Sequence, residues 1–347
     1  MMYFAHASIG KTRNRIKTKG LANFSVLTLI SVLLLGCKLD TPTIWQDPQF
    51  TVQTTSDVKY GEGLSHSDWN SSDAESMDLL LDMYQPRDIS TKRPAVVFIH
   101  GGGFIGGDKT TGTAIRFMDY FVSRGFVGFS INYRVAGDFG TLPSGYAAVV
   151  DAIPDLTDKQ RMQAKAMYPA GRDAKAAIRW IYANAETLNI NPDHIAVIGG
   201  SAGSFITMAL GNTNPEDYKD ELTEAEDPTL ATTNLESDSS VHTLIDHWGG
   251  PAMVDLPEMF DDISRWNENN VPVSIVHGTE DPTVAFEEGL AIVDHYKETG
   301  VRYEFYPLEG IGHGAWNVEI DGQSLYELAF DFVVDVQDLT FSEQAPE

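Results

Sequence analysis

Three residues in the second half of the chain are of the types that together convert a hydroxyl group into a nucleophile. Ser201 stands within the run Gly-Gly-Ser-Ala-Gly, and it is followed in the chain by Asp281 and then by His313. A serine hydroxyl needs an imidazole to accept its proton, and a carboxylate to orient that imidazole. We therefore predict that Ser201 is the nucleophile, His313 the base and Asp281 the orienting acid. The alternative is a glycine-rich turn with an idle serine, because G-x-S-x-G is a short motif.

The sequence around Ser201 predicts a sharp turn between a strand and a helix. Residues 195–198 form an apolar β-type run that stops at Gly199, and residues 205–210 have helical character. A serine at the apex of such a turn needs small neighbours so that strand and helix can pass closely. Gly199 and Gly203 meet this requirement, and the serine oxygen would stand clear of the sheet.

The elements that must position these residues alternate between strands and helices. Residues 95–99 are apolar at every position, and residues 126–131 form a second, largely apolar run, as in strands buried on both faces of a parallel sheet. Residues 111–123 between them predict a crossover helix. This pattern predicts an α/β fold with a mostly parallel central sheet and helices on both faces. We predict further strands at 51–60, 78–84, 241–245, 271–276 and 302–306, a core-facing helix at 174–181 and a closing helix at 325–334.

Four motifs in this order resemble a known family. They are His100-Gly-Gly-Gly-Phe104, the Ser201 turn, Asp281-Pro-Thr-Val284 and Gly312-His-Gly314. Together they resemble the α/β-hydrolase fold carboxylesterases of the hormone-sensitive-lipase and carbohydrate-esterase type, over residues 78–334. The sequences LLLDMYQP and GGSAGS are more similar to those of acetyl and feruloyl esterases than to those of the hormone-sensitive-lipase group. The hormone-sensitive-lipase group usually has Asp immediately before the serine, where this chain has Gly200.

The resemblance implies how the remaining site residues would act. It places the donors that stabilise a tetrahedral oxyanion on the backbone N–H groups of Gly102, Gly103 and Ala202. It also implies an acyl-enzyme formed on short-chain or carbohydrate-linked esters, with no cofactor. We expect the large side chains that follow the site motifs to line the substrate pocket, although buried aromatic packing is the equal alternative; these are Phe104, Trp248 and Trp316.

Other polar residues near the predicted strand ends compete for these roles. Asp246 is the alternative acid, because it follows the predicted strand at 241–245 and some relatives of the resembling family place the acid after that strand. We expect His100 and His277 to be structural, and Glu280 to point the other way from Asp281. His242 and His247 lack metal-ligand spacing with any acidic cluster, so we predict no metal site.

The first 37 residues predict an exported lipoprotein. Residues 1–36 carry five basic side chains and no acidic one, and they contain an apolar run at 21–35 that is too short to span a bilayer. The run ends in Leu-Leu-Gly-Cys37, which resembles a bacterial lipobox. We therefore predict a lipoprotein signal peptide at 1–36, a membrane anchor on the lipidated Cys37, and a place in the bacterial cell envelope, at the outer membrane or cell surface. An ordinary signal peptide with a chance cysteine is the alternative.

Charge and chain organisation limit the remaining possibilities. The formal net charge of −26 argues against nucleic acid as a partner. After a polar tether at 37–53 we predict a single catalytic domain at 54–340, with cap-like insertions at 135–169 and 214–240. Ordinary loops are the alternative at both insertions, and the acidic side chains of the second predict a solvated loop. A lipase, a peptidase and a binding protein without catalytic activity stay open on this fold.

Overall fold

The computed structural model describes residues 41–87 and 91–344, so the predicted signal peptide and Cys37 lie outside the described residues. The strands are β1 Thr43–Ile44, β2 Val52–Ser65, β3 Glu75–Pro86, β4 Arg93–Ile99, β5 Val127–Ile131, β6 Ile190–Gly200, β7 Thr243–His247, β8 Val273–Gly278, β9 Tyr303–Leu308, β10 Glu319–Ile320, β11 Gln323–Ser324 and β12 Thr340–Phe341. The α-helices are α1 Gly112–Val122, α2 Ser144–Ala152, α3 Asp158–Asn184, α4 Ala202–Asn212, α5 Ala252–Asp261, α6 Phe286–Thr299 and α7 Leu325–Val336.

The central sheet has eight strands in the order β2-β3-β5-β4-β6-β7-β8-β9. Strand β3 is antiparallel to both of its neighbours, β2 and β5, whereas all pairings from β5 through β9 are parallel. The predicted mostly parallel sheet is therefore confirmed. Because parallel strands end at the same edge, the loops after β4, β6, β7, β8 and β9 are brought to one side of the molecule.

Strand β4 shows why its sequence must be apolar at successive positions. Val97 and Ile99 face one core cluster, while Val96 and Phe98 face the other. All four side chains are buried, because helices cover both faces of the sheet. The alternation of a strand thus divides one continuous apolar run between two cores.

The helices form two outer layers. Buried residues of α1 and α7 pack in the cluster on one face, and those of α2 to α6 pack in the cluster on the other. The predicted core contacts of Ala174, Ile178 and Ile181 in α3 are confirmed, since all three are buried. Within the described residues, no helix is both long enough and apolar enough to cross a membrane.

Helix α3 corrects the sequence prediction for residues 135–169. The loose pattern predicted there resolves into a 3₁₀ turn, α2 and the first part of α3, whose 27 residues continue through Pro169. A proline inside a helical pattern normally marks an end because it lacks the N–H donor. Here burial of the surrounding turns outweighs that loss, and the proline ring packs against Gly140, where a β-carbon would lie 2.7 Å from it.

The predicted tether at 37–53 is wrong from Thr43 onward. Strand β1 pairs with β12 near the other end of the described chain, and Ile44 and Trp45 are buried. The indole Nε1 of Trp45 donates a hydrogen bond of 2.7 Å to the carbonyl of Gln344. Two apolar side chains among polar ones are enough to dock this segment, so the folded domain begins about ten residues before the predicted boundary at residue 54.

The acidic segment 214–240 is only partly the predicted solvated loop. Asp217 and Asp227 are buried, and Arg265 reaches Asp217 at 2.6 Å. On the neighbouring helix, Lys175 donates hydrogen bonds to the carbonyls of Asn214 and Asp217 at 2.6 and 2.8 Å. Composition predicted solvation, but buried cations outside the segment hold its first turn against α3.

Candidate active site

The turn that carries Ser201 lies between β6 and α4, as the sequence predicts. Ser201 has φ +55° and ψ −124°, a strained conformation for a residue with a side chain. A β-carbon at Gly199 would lie 2.3 Å from the carbonyl oxygen of Gly203, and one at Gly203 would lie 2.1 Å from that of Ile99. Both glycines are therefore required by the close approach of strand and helix.

The structure brings Ser201, His313 and Asp281 into one hydrogen-bonded chain. Nε2 of His313 lies 3.0 Å from Oγ of Ser201, and Nδ1 of the same ring lies 2.6 Å from Oδ2 of Asp281. Asp281 follows β8 and His313 follows β9, so adjacent parallel strands deliver them to the same edge. With Nδ1 donating to the carboxylate, Nε2 is left to accept the serine proton.

The surroundings of Asp281 keep it ionised. Burial would raise its pKa, but hydrogen bonds from His313 and from the amides of Thr283 and Val284 outweigh burial and lower the pKa. The two amides lie 2.7 and 3.0 Å from Oδ1. Behind it, His277 is buried, its pKa is lowered chiefly by burial, and its Nε2 lies 3.0 Å from the carbonyl of Val284. His277 thus has the packed, hydrogen-bonded place that the sequence predicts.

The glycine loop after β4 faces the serine. Gly102 and Gly103 have φ values of +121° and +61°, and a β-carbon at Gly102 would lie 1.9 Å from the carbonyl of Gly106. Ala202 opens α4, where the first amides have no partner within the helix. His100 is buried and stacks on Tyr133 at 4.4 Å, which is a structural position and not that of a base.

These residues share a cleft of about 760 Å³. Ser201, His313, Gly102 and Gly103 all line it. Its other walls combine two indoles and two aliphatic side chains with hydroxyl and amide side chains and one lysine; these are Trp248, Trp316, Ile105, Val284, Thr111, Thr157, Lys159, Gln160, Gln163 and Thr283. The cleft can therefore hold a carbonyl group beside the serine, with polar groups along one wall.

The three predicted pocket aromatics divide between two environments. Trp316 and Trp248 line the cleft, although only 1% of the surface of Trp248 is exposed, and their rings meet edge to face at 4.7 Å. Phe104 does not line it: the side chain is fully buried and packs against Tyr133 and Phe205. The positive φ of Phe104, +58°, turns its side chain into the core, so the prediction for this residue is wrong.

Trp316 also explains why Gly200 precedes the serine, where the hormone-sensitive-lipase group usually has Asp. A β-carbon at Gly200 would lie 2.3 Å from Cζ2 of Trp316. The indole thus occupies the space that an aspartate side chain would need at this position. Gly200 and Trp316 are therefore a matched pair in this chain.

The competing polar residues lie elsewhere. Asp246 is a residue of β7, fully buried, and its Oδ1 accepts a hydrogen bond from the amide of Gly249 at 3.0 Å. His247 is buried beside it and contacts the carbonyl of Gly199 at 3.1 Å. Glu280 is exposed. No group of three His, Cys, Asp or Glu side chains in the described ranges is arranged to hold a metal ion.

Sequence reasoning missed the polar wall of the cleft. Thr157, Gln160 and Gln163 come from the start of α3, inside the insertion predicted at 135–169. The pair Thr157 and Gln160 forms a capping box, a spacing that could have located the start of this helix. Gln163 has no local sequence signal, because its contact depends on tertiary packing.

Two family models match parts of the chain. The prolyl oligopeptidase family model matches residues 169–339, and the BD-FAE family model matches residues 81–159. Among curated proteins, Esterase LipC of Mycobacterium tuberculosis is 26% identical over 266 residues, covering 68% of this chain and 56% of that protein. The chain therefore spans little more than half the length of this relative, and smaller parts of several others.

Solved structures match more of the chain. A truncated carbohydrate esterase from gut microbiota superposes with a TM-score of 0.54 at 19% identity, covering 86% of this chain and 99% of that one. Butyrate-bound esterase Est2 of Thermogutta terrifontis superposes with a TM-score of 0.56 at 23% identity, covering 80% and 95%. With its mostly parallel sheet and helices on both faces, the chain has the α/β-hydrolase fold.

Proposed function

We propose that this protein is a serine hydrolase that cleaves carboxylic esters. The observation that carries the proposal is the hydrogen-bonded chain from Ser201 through His313 to Asp281, which opens into a cleft beside the Gly102 and Gly103 loop. Curated relatives named as esterases and carboxylesterases support the same class of reaction.

In this mechanism His313 takes the Ser201 proton on Nε2 while Oγ attacks the ester carbonyl. The resulting oxyanion would accept hydrogen bonds from the N–H groups of Gly102, Gly103 and Ala202. His313 then gives the proton to the departing alcohol oxygen, which leaves an acyl group on Ser201. Water, deprotonated by the same imidazole, attacks the acyl carbonyl and releases the acid. Asp281 keeps the imidazole tautomer and stabilises the imidazolium.

The cleft supports esters with a short acyl group and a hydroxylated alcohol. Trp316 and Ile105 offer an apolar surface, while Thr157, Lys159 and Gln160 offer polar groups suited to the hydroxyls of a carbohydrate. The solved relatives named as a carbohydrate esterase and as a butyrate-bound esterase support this substrate class. We propose that residues 135–169, which include these polar side chains, cap the cleft.

Hydrolysis of p-nitrophenyl esters from acetate to palmitate by the purified chain tests the proposal. We expect turnover of the short esters and its loss in Ser201→Ala, with the unfolding temperature unchanged. A preference for palmitate would indicate a lipase instead. If wild type and Ser201→Ala were equally inactive on every ester, a binding protein without catalytic activity would be the better interpretation.

A peptidase is the second candidate, because the prolyl oligopeptidase family model matches residues 169–339. Esters are favoured because the curated relatives that the chain matches include proteins named as esterases and carboxylesterases. Peptide p-nitroanilides assayed beside the esters separate the two. Faster turnover of the anilides, lost in Ser201→Ala, would favour the peptidase.

We also propose that the protein is an envelope lipoprotein anchored through Cys37. The basic start, the short apolar run and the Leu-Leu-Gly-Cys ending support this place. Labelled palmitate supplied to bacteria producing the full chain should enter the wild type but not Cys37→Ala. Equal labelling of the two proteins, or none in either, would reject lipidation at this residue.

A further inference from the structure

A buried amide side chain of α3 contacts the glycine loop that faces the serine. Gln163 is 6% exposed, and its Nε2 donates a hydrogen bond of 2.7 Å to the carbonyl of Gly103. This bond joins two segments 60 residues apart, the proposed cap and the loop after β4. The contact is close, since a β-carbon at Gly103 would lie 2.9 Å from the same nitrogen.

Each of the three successive glycine carbonyls in the loop has a hydrogen-bonding partner. The carbonyl of Gly101 lies 2.7 Å from Nδ1 of His100, and that of Gly102 accepts from the amides of Ile105 and Gly106 at 3.1 and 3.3 Å. These partners belong to the loop itself. The partner of the Gly103 carbonyl is Gln163, which belongs to α3.

Peptide planarity converts these anchors into the direction of the amides. In a trans peptide the N–H points opposite to the preceding carbonyl, so the bonds to Gly102 fix the N–H of Gly103. Gly103 has φ +61°, and glycine rotates freely about both of its backbone bonds. The Gln163 bond to the Gly103 carbonyl holds the next peptide plane, between Gly103 and Phe104. The peptide planes before and after Gly103 are thereby both restrained.

We infer that Gln163 is a positioning residue for the reaction, one that holds Gly103 in the conformation that presents its N–H to the oxyanion. The inference rests on the proposed ester hydrolysis and adds to it that the cap helix contributes to transition-state stabilisation. Oxyanion donors act by being fixed before charge develops. A Gly103 peptide that can rotate would bind the ester equally well and stabilise the tetrahedral state less.

The test uses full-length Gln163→Met, which keeps the length and volume of the side chain but lacks the donor. Because loss of a whole oxyanion donor costs about 100-fold or more, we expect loss of its restraint to lower kcat on p-nitrophenyl acetate by about 10-fold. KM should change less than about 2-fold. The inhibition constant of a boronic acid that forms a tetrahedral adduct on Ser201 should rise in parallel with the loss of kcat.

The matched control is Tyr146→Phe. The hydroxyl of Tyr146 donates to the carbonyl of Ala164 at 2.8 Å, so this change removes one buried hydrogen bond from the next residue of α3 without touching Gly103. We expect its kcat to stay within about 2-fold of wild type. If Gln163→Met fails to fold, Gln163→Asn keeps the amide but is too short to reach Gly103, and it should show the same loss of kcat.

Three results would overturn the inference. The first is a folded Gln163 variant with wild-type kcat and boronic acid affinity. The second is an equal loss of kcat in Tyr146→Phe, which would indicate a general effect of the helix. The third is a loss that differs strongly between acetate and butyrate esters, which would indicate direct contact with substrate. A wild type that turns over no ester would reject the proposed function itself.

Discussion

At the scale of single residues, the contact between Gly200 and Trp316 sets this chain apart from the family group it resembles. The indole lines the cleft and leaves no room for a side chain at residue 200. An aromatic wall beside the nucleophile therefore replaces the aspartate that the related group carries. The exchange is readable only when the two residues, more than a hundred positions apart, are seen in contact.

We expect Gly200→Ala to destabilise the protein by about 1–3 kcal/mol, because the added methyl group overlaps the indole of Trp316. In a Trp316→Leu background the same change should cost clearly less, since the overlapping ring atoms are gone. Urea unfolding of the two single variants and the double variant measures this coupling. An equal cost of Gly200→Ala in both backgrounds would contradict the predicted overlap.

Two neighbouring buried residues behind the serine, Asp246 and His247, have pKa values shifted in opposite directions, and both shifts disfavour the charged form. Burial raises the pKa of Asp246 to about 7, despite the hydrogen bond from Gly249, and it lowers that of His247 to about 4. Both residues are therefore favoured in their neutral forms. The folded state holds the Asp246 proton up to about pH 7, whereas it resists protonation of His247 down to about pH 4.

Removing either group should change the pH dependence of stability with opposite signs. Between about pH 4 and 7 the folded Asp246 binds a proton that the unfolded chain has lost, so this residue lowers stability as pH rises. As pH rises over this range, Asp246→Asn should therefore gain stability relative to wild type, by up to about 1.4 kcal/mol per pH unit. As pH rises from about 4 to 6.5, His247→Gln should lose stability relative to wild type, because it lacks the proton that the unfolded wild-type chain releases there. Unfolding free energies at several pH values test both, and slopes of the same sign would contradict the assignment.

At the scale of elements, α3 is joined to the sheet by a buried ion pair. The guanidinium of Arg134, after β5, binds Asp173 of α3 at 2.6 Å, and the two side chains are 2% and 1% exposed. Arg134 also donates to the carbonyl of Leu64 at the end of β2. One arginine thus connects two strands to the helix that carries the polar wall of the cleft.

We expect Asp173→Ala to cost about 3–5 kcal/mol, because it leaves the buried Arg134 without its carboxylate. The matched control is Asp151→Ala, which removes an exposed partner of Lys165 on the same helix. That change should cost less than about 1 kcal/mol. Chemical denaturation of both variants gives the comparison, and similar costs would show that the buried pair does not anchor α3.

At the scale of the whole molecule, the two ends of the described chain are joined. Thr43 and Ile44 pair in register with Thr340 and Phe341, and the amide of Ser342 donates to the carbonyl of Ile44 at 2.8 Å. Beside them the guanidinium of Arg93 lies 4.9 Å from the centre of the Trp45 ring. A segment expected to be a tether is therefore part of the folded domain.

We expect Trp45→Ala to lower the free energy of unfolding by about 3–5 kcal/mol, as for other buried tryptophans. The control Gln49→Ala changes an exposed residue of the same segment and should leave it within about 0.5 kcal/mol. Thermal and urea unfolding of the two variants test the docking. If Trp45→Ala were as stable as the control, this segment would be a tether after all.

The sequence by itself determined the parts of this protein that depend on local pattern. Continuous apolar runs located the buried strands, because a strand covered on both faces has no polar side. The prediction for α1 was within one residue of the observed Gly112–Val122 at each end. The order Ser201, Asp281, His313, each just past a predicted strand, sufficed to predict their meeting at one edge of the sheet.

Only the tertiary structure decided the features that depend on distant contacts. The insertion predicted at residues 135–169 ends at Pro169, yet the packing around this proline carries α3 through that position. Phe104 turns into the core, Trp316 fills the space beside Gly200, and Gln163 reaches Gly103. None of these has a local signal, because each is fixed by side chains brought together from separate elements.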